Sequence, residues 1–342
     1  MYVTEKLELC GMQQSDLDHC LFIGEKVICV VYVDDLLFWS TEEDHIVSLA
    51  EALRLEGVDL EEEGDAAGFL GVKLEREQDT GRIRMTQTGL IDRVITALGL
   101  DEISVKMKTA PAERRPLIKD ADGDPSSESF SYASIVGMML YLSGHTCPDL
   151  VYAVNACARY TFCPRRTHEV ALKRIGRYLK LTRNKGLILT PSTALNVNAY
   201  SDVDFAGLYG YEDISDPTCT MSRAGFIITV ADCPVLWQSK LQTETALLTM
   251  EAETVAFVTC CRKLLPILDI VAQIRKAVGM QSDEKRKFHI RIHEYNAGAL
   301  TFMSTKPLQC THRSKQYAIK ANWFREQILK RGIEVLKIDT KF

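Results

Sequence analysis

The chain has 342 residues, of which 46% are hydrophobic and 25% charged, and this length predicts two or three folded units with ordinary cores. No apolar stretch reaches the roughly 18 residues of a membrane span, and the segment after Met1 is polar rather than a signal peptide. We therefore expect an intracellular protein, cytoplasmic or nuclear, without a membrane partner. The net charge of −5 does not exclude nucleic acid, because phosphates are bound by local basic patches.

The cysteine pattern gives no sign of a metal site or a disulfide framework. The chain has eleven cysteines, an odd number, and none forms a C-x-x-C pair. Paired and regular spacing is typical of zinc sites and disulfide scaffolds. We therefore predict free thiols in a reducing compartment.

A β-hairpin is predicted around the sequence Tyr32-Val33-Asp34-Asp35. Short apolar runs, 27–31 and 36–39, stand on either side and are typical of buried strands, which places the two acids in a tight turn. Carboxylates held on rigid strands suit phosphoryl chemistry, because two Mg²⁺ ions about 3.5–4 Å apart need hard oxygen ligands. The alternative is an acidic surface turn that serves solubility.

The next elements are a second hairpin, an irregular connection and several helices. Residues 69–74 and 82–85 predict strands, and 110–129, rich in Pro, Asp, Ser and Arg, predicts an exposed connection. Helical spacing follows from Tyr132 and again from Leu150, where Thr146 is the predicted cap of the second helix. No internal repeat is visible.

A basic helix is predicted at 168–181. Lys173, Arg177 and Lys180 form one stripe, and apolar residues form another, so the helix can pack inward and present positive charge to a phosphate backbone. A second basic patch is predicted near the C-terminus, at His312, Arg313, Lys315 and Lys320. For both patches the alternative is a solvated face without a ligand.

Short motifs follow one another along nearly the whole chain. Those around the first two hairpins are Gly11-Met12, Ser15, Asp18, Cys20-Leu21-Phe22, Phe69-Leu70-Gly71-Val72, Thr86-Gln87 and Leu90-Ile91. Those further on are Val136-Gly137, Leu140-Tyr141-Leu142, Pro148-Asp149, Tyr152-Ala153-Val154-Asn155, Arg177-Tyr178-Leu179-Lys180, Tyr200-Ser201-Asp202, Asp204, Trp237-Gln238-Ser239-Lys240 and Glu251-Ala252-Glu253. In this order they resemble the copia-type retrotransposon Pol polyprotein, from the C-terminal part of reverse transcriptase through ribonuclease H.

The resemblance implies an α/β (α+β) fold. It predicts the remainder of a reverse transcriptase palm and the start of the thumb at 1–109, an exposed connection at 110–130 and a helical connection region at 131–190. A ribonuclease H-like mixed sheet with helices is expected at 195–342. The implied activities are RNA-directed DNA polymerase and cleavage of the RNA strand of an RNA·DNA hybrid, both with Mg²⁺ or Mn²⁺.

The resemblance also implies which residues would bind metal. Asp34 and Asp35 would be polymerase ligands, together with a third aspartate expected upstream of Met1. Asp202, on a strand, and Glu253, on a helix, would be two of the four ribonuclease H acids.

The other two ribonuclease H acids are expected to be lost. By the same resemblance their positions are taken by Tyr295 and Ala318. Glu294 is expected not to substitute, because neighbouring residues on a strand face opposite ways and its carboxylate would be directed away from Asp202.

Three hypotheses follow from the sequence. The first is a catalytically inactive fragment of a copia-type polyprotein. The second is a working segment of a retroelement reverse transcriptase and ribonuclease H. The third is a non-catalytic module that binds nucleic acid through the basic residues. Oligomeric state is left open.

Overall fold

The computed structural model describes residues 2–62, 68–77, 79–278, 289–304 and 315–338. These residues form two compact units, one from Met1–Leu70 with Arg262–Lys287 and the other from Gly71–Cys261 with Phe288–Phe342. Helices and strands are mixed throughout, which confirms the predicted α/β class. The predicted domain boundaries stay predictions.

The first unit is a small antiparallel sheet with helices. Its strands pair in chain order, and its core is formed by Leu7, Phe22, Cys29 and Leu53. Its elements before residue 70 are α1 (Tyr2–Leu9), β1 (Gln13–Gln14), β2 (Leu21–Ile23), β3 (Val27–Tyr32), β4 (Asp35–Ser40) and α2 (Glu43–Leu55).

The second unit begins with a hairpin and a helical cluster. The predicted hairpin is confirmed, and its second strand also pairs with a short third strand. The helices bury apolar residues such as Val94, Met139, Leu142 and Leu172 against one another. The elements are β5 (Lys73–Arg76), β6 (Ile83–Thr86), α3 (Thr88–Ala97), α4 (Tyr132–His145), α5 (Val151–Ala158), α6 (Arg166–Thr182) and β7 (Leu187–Leu189).

The rest of the second unit is a five-stranded mixed sheet with helices. The strand order is β10-β9-β8-β11-β12, in which β8, β9 and β10 are antiparallel and β8, β11 and β12 are parallel. The elements are β8 (Val197–Asp204), β9 (Arg223–Val230), β10 (Cys233–Leu241), α7 (Thr249–Ala277), β11 (Ile290–Glu294), α8 (Ala297–Ser304), α9 (Lys315–Arg331) and β12 (Glu334–Lys337). Helix α7 belongs to this unit up to Cys261.

Two local predictions are corrected. Thr146 does not cap the helix that follows it: it is the C-terminal cap of α4, and its hydroxyl donates to Gln87 Oε1 at 2.8 Å. The segment 110–130 has neither helix nor strand, as expected, but it is not simply exposed. Leu117 and Phe130 pack on the helical core, and the Glu169 carboxylate accepts hydrogen bonds from Ser126 and Ser127.

The turn between β3 and β4 places a β-branched residue in an unfavourable conformation. Tyr32 pairs with Asp35, so Val33 and Asp34 are the two central residues of the turn. Val33 has a φ of 55° and is 76% exposed. A β-branched side chain is strained in this left-handed region, where glycine is the preferred residue of a hairpin turn.

The substitution Val33→Gly should therefore stabilise the hairpin. Relief of strain outweighs the extra entropy of glycine, and we expect a gain of about 1 kcal/mol. Native-state hydrogen exchange of the β3 and β4 amides measures it. Val47→Gly, at an exposed position inside α2, is the control and should lose stability. Slower exchange in neither hairpin strand of Val33→Gly would contradict this account of the turn.

Candidate functional site

The two acids of the first hairpin lie where the sequence predicts them. Asp34 is in the turn, Asp35 is the first residue of β4, and both side chains are exposed. The predicted tight turn between two strands is therefore confirmed. No hydrogen bond or ion pair joins either carboxylate to another residue in the part of the chain that the structure describes. Whether the two acids bind metal stays a prediction.

A second group of acids lies at one end of the five-stranded sheet. Asp202 is exposed near the end of β8, Glu253 is buried in the first turns of α7, and Glu294 is the last residue of β11. Glu294 is completely buried. Its carboxylate accepts hydrogen bonds from Ser201 Oγ at 2.9 Å and from the Asn296 backbone N–H at 3.0 Å.

The strand register agrees with the expectation that Glu294 is directed away from Asp202. Glu294 pairs with Ser201 across the parallel β8–β11 ladder, so its side chain shares a face with Ser201, and Asp202, the next residue of β8, is directed to the other face. The argument from alternation compared Glu294 with Tyr295, but β11 ends at Glu294 and Tyr295 is outside the strand. The burial of Glu294 was not expected, and it follows from the phase of the strand, because Ile290, Ile292 and Glu294 form one buried face.

Burial and the charges of other acids raise the pKa of two of these carboxyl groups. Burial, followed by the charges of Glu294 and Asp202, raises the pKa of Glu253 to about 8. Burial also raises the pKa of Glu294; the Asp202 charge adds to this effect, while the hydrogen bonds from Asn296 and Ser201 oppose it. The Oε2 atom of Glu253 is buried without a hydrogen-bond partner among the described residues.

The donor set suits a hard divalent cation in its chemistry, since three carboxylates supply oxygen ligands and one buried oxygen lacks a partner. In the present arrangement, no group of three or more His, Cys, Asp or Glu side chains among the described residues is positioned to hold a metal ion. Binding would therefore require the carboxylates to move closer together.

The two positions at which an acid is expected to be lost, Tyr295 and Ala318, lie in different parts of the fold. Tyr295 follows β11 and is 36% exposed. Ala318 lies within α9, and its side chain is outside the described part of the structure. The predicted loss of an acid at each position is not tested by these placements.

The basic stripe of α6 is only partly available to a ligand. The Lys180 ammonium donates to the carbonyl oxygens of Leu100 and Glu102, at 2.7 and 2.6 Å, and so holds the segment that follows α3. The Lys173 ammonium lies 5.5 Å from the centre of the Phe130 ring. Arg177 is partly buried, and its Nε atom has no hydrogen-bond partner among the described residues. Arg313 and the side chain of Lys315 lie outside the described residues.

The described cysteines and helices agree with two other features of the sequence. Ten cysteines are free thiols, and burial raises the pKa of several, including Cys29 and Cys260, to about 12. None of the described helices combines the length and apolar composition needed to cross a membrane.

Comparisons with known proteins identify the class. Residues 1–113 match the family described as reverse transcriptase (RNA-dependent DNA polymerase). The retrovirus-related Pol polyprotein from transposon RE1 of Arabidopsis thaliana is 27% identical over 96% of this chain and 21% of its own length. The corresponding protein from transposon TNT 1-94 of Nicotiana tabacum is 27% identical over 92% of this chain and 22% of its own length.

A shorter relative is the secreted RxLR effector protein 161 of Plasmopara viticola, which is 36% identical over 36% of this chain and 82% of its own length. No solved structure matches the chain. The chain spans about a fifth of the length of the Pol polyproteins that it matches. Most of its length is nevertheless covered by these proteins, and the chain belongs to the copia-type retrotransposon Pol family.

The raised pKa of Glu253 predicts a pH-dependent stability. Below about pH 4.5 Glu253 is protonated in both the folded and the unfolded state, so its pKa shift has no effect on stability. Between that value and about 8 the folded state retains a proton that the unfolded state releases, so the free energy of unfolding falls as pH rises. Glu253→Gln should remove this fall, which amounts to a few kcal/mol.

Urea unfolding of the wild type and of Glu253→Gln at a series of pH values from 4 to 9 measures the effect. Glu251→Gln, two residues before Glu253 in the same helix, is the matched control. The free energy of unfolding of this variant should depend on pH as it does in the wild type. Parallel pH profiles for the wild type and Glu253→Gln would contradict the shift.

Proposed function

We propose that residues 195–342 form a ribonuclease H-like domain and that Asp202, Glu253 and Glu294 are its remaining metal-binding carboxylates. The observation that carries the proposal is that Asp202 and Glu294 end neighbouring parallel strands, β8 and β11, and that their charges act on Glu253 of α7. Convergence of acids from separate elements is costly unless it serves a ligand, because like charges in a buried site repel one another.

Each carboxylate has a distinct role in the proposed site. Glu294 is fixed by Ser201 and the Asn296 backbone, so it is a pre-oriented ligand. Glu253 would hold a proton near neutral pH when no cation is bound, and it would release that proton when a cation binds. Asp202 is exposed, so it would be the carboxylate most accessible to solvent and to a ligand. A bound pair of Mg²⁺ or Mn²⁺ ions would supply an activated water for cleavage of the RNA strand of an RNA·DNA hybrid.

This proposal changes the explanation of the expected inactivity. Glu294 occupies the third acid position, so the missing ligand is the fourth, at Ala318. Three carboxylates are a better cation site than two, but they leave the cation pair short of a ligand. We propose a ribonuclease H of greatly reduced activity within a segment whose first 113 residues are of the reverse transcriptase family. Polymerase activity at Asp34 and Asp35 would need a further carboxylate.

Of the predicted contacts with nucleic acid, Lys173 and Arg177 are kept in the proposal. Lys180 is bound to backbone carbonyls and is assigned a structural role. No observation favours a purely non-catalytic binding module over a weakened nuclease.

Restoring the fourth acid should raise cleavage of a labelled RNA·DNA hybrid in Mg²⁺ or Mn²⁺. We expect Ala318→Asp to exceed the wild type by about two orders of magnitude, the scale of one charge-stabilising group. Ala318→Asn is the matched control and should remain close to the wild type.

Combined variants show whether the third acid position of the proposed site is Glu294 or residue 295. Adding Glu294→Gln to Ala318→Asp should abolish the gain, whereas adding Tyr295→Asp should leave it unchanged. If cleavage instead requires Tyr295→Asp and tolerates Glu294→Gln, the third acid belongs at position 295. If no variant cleaves although circular dichroism shows all of them folded, the proposed nuclease lineage of the site is wrong.

A further inference from the structure

A small cavity lies between the connection, α5 and the neighbouring ends of β8, β9 and β10. Its enclosed volume is about 10 Å³, room for one water molecule, so a larger ligand would bind across its open mouth. The residues that matter for its chemistry are Leu117, Tyr152, Arg159, Asp204, Met221 and Arg223. All of them belong to the second unit.

Arg223 is the unusual member of this lining. It is the first residue of β9 and is only 9% exposed. Its guanidinium makes no hydrogen bond or ion pair with any residue that the structure describes. None of its nitrogens is among the described buried side-chain atoms that lack a hydrogen-bond partner, so the stem is buried and the guanidinium reaches solvent. It is therefore open to an acceptor from outside the chain.

The surroundings orient the guanidinium toward the cavity. Its carbon atom lies 5.2 Å from the centre of the Tyr152 ring, a distance that fits a cation–π contact. Strand pairing sets Arg223 between Asp204 on β8 and Leu241 on β10. The stem of the side chain is therefore held by the sheet on both sides.

The charges around Arg223 leave its own charge uncompensated. Burial lowers the pKa of Arg223, and the nearby Arg159 charge lowers it further, while Tyr152 and Asp204 act in the opposite direction. Arg159 already has a partner, because its guanidinium pairs with the Glu212 carboxylate at 3.1 Å. Asp204 also lines the cavity, and no ion pair joins it to Arg223.

We propose that this cavity is a binding site for a phosphate group, with Arg223 as its ligand. The planar fork of a guanidinium matches two phosphate oxygens, and such bidentate pairs are among the strongest charge-assisted hydrogen bonds. The site uses none of the carboxylates of the proposed nuclease and goes beyond that function. Its three walls come from the connection, the helical cluster and the sheet, so a bound phosphate would link them.

Calorimetric titration of the full chain with inorganic phosphate, without divalent cations, tests the site directly. We expect the wild type to bind phosphate and Arg223→Met to bind at least about tenfold more weakly, as expected for loss of one bidentate pair. Arg114→Gln removes an equal charge from an exposed position in the segment 110–130, and this variant should bind phosphate like the wild type. No phosphate binding by the wild type, or equal loss in both variants, would overturn the proposal.

Thermal unfolding separates lost binding from lost folding. Without phosphate, Arg223→Met should unfold at the same temperature as the wild type or higher, because no hydrogen bond or ion pair with a described residue is lost. Phosphate should raise the unfolding temperature of the wild type and of Arg114→Gln but not that of Arg223→Met. Equal phosphate stabilisation of all three proteins would overturn the assignment of Arg223.

The source of the phosphate group is resolved with two oligodeoxynucleotides of the same sequence, with and without a 5′-phosphate. If Arg223→Met weakens binding of both, the site takes a backbone phosphodiester. If it weakens only the phosphorylated strand or only inorganic phosphate, the site takes a monoester or the free anion. Each result supports a phosphate site, and an unchanged affinity of Arg223→Met for every probe would overturn it.

Discussion

The parallel pairing of β8 with β11 is the constraint on which the acid site depends. It sets Glu294 opposite Ser201, one residue before Asp202, and it keeps Glu294 in phase with the buried residues Ile290 and Ile292. Glu253 is buried in the first turns of helix α7. Burial, followed by the charges of Glu294 and Asp202, raises the pKa of Glu253 to about 8, so this carboxyl group retains its proton near neutral pH.

The two acid sites of the chain differ in the kind of unfavourable energy that the fold contains there. At the hairpin turn, Asp34 and Asp35 are exposed, and the unfavourable conformation falls on the backbone of Val33. At the sheet end, the cost is electrostatic and falls on buried carboxylates. Strain and charge repulsion that persist in a folded protein are typical of functional sites, and both features here follow from the strand register.

Much of this arrangement was predictable from sequence. The apolar runs around Asp34 and Asp35 gave the hairpin, helical spacing gave α4 and α6, and the order of motifs gave the family. The burial of Glu294 was missed because it depends on where β11 ends and on which strand lies beside it. Thr146 was assigned to the wrong helix because a hydroxyl can bond to either neighbour, and its partner, Gln87, is distant in sequence. Arg223 gave no signal in the sequence, since burial of a lone arginine is decided by packing.

The titration of Glu253 tests most directly whether the three acids share one site. Carbon-detected nuclear magnetic resonance of the Glu253 carboxyl group should give a pKa near 8 in the wild type and a lower value in Glu294→Gln, because the neighbouring charge is removed. Glu251→Gln should leave the wild-type value in place. A Glu253 pKa that is the same with and without the Glu294 charge would contradict the shared site.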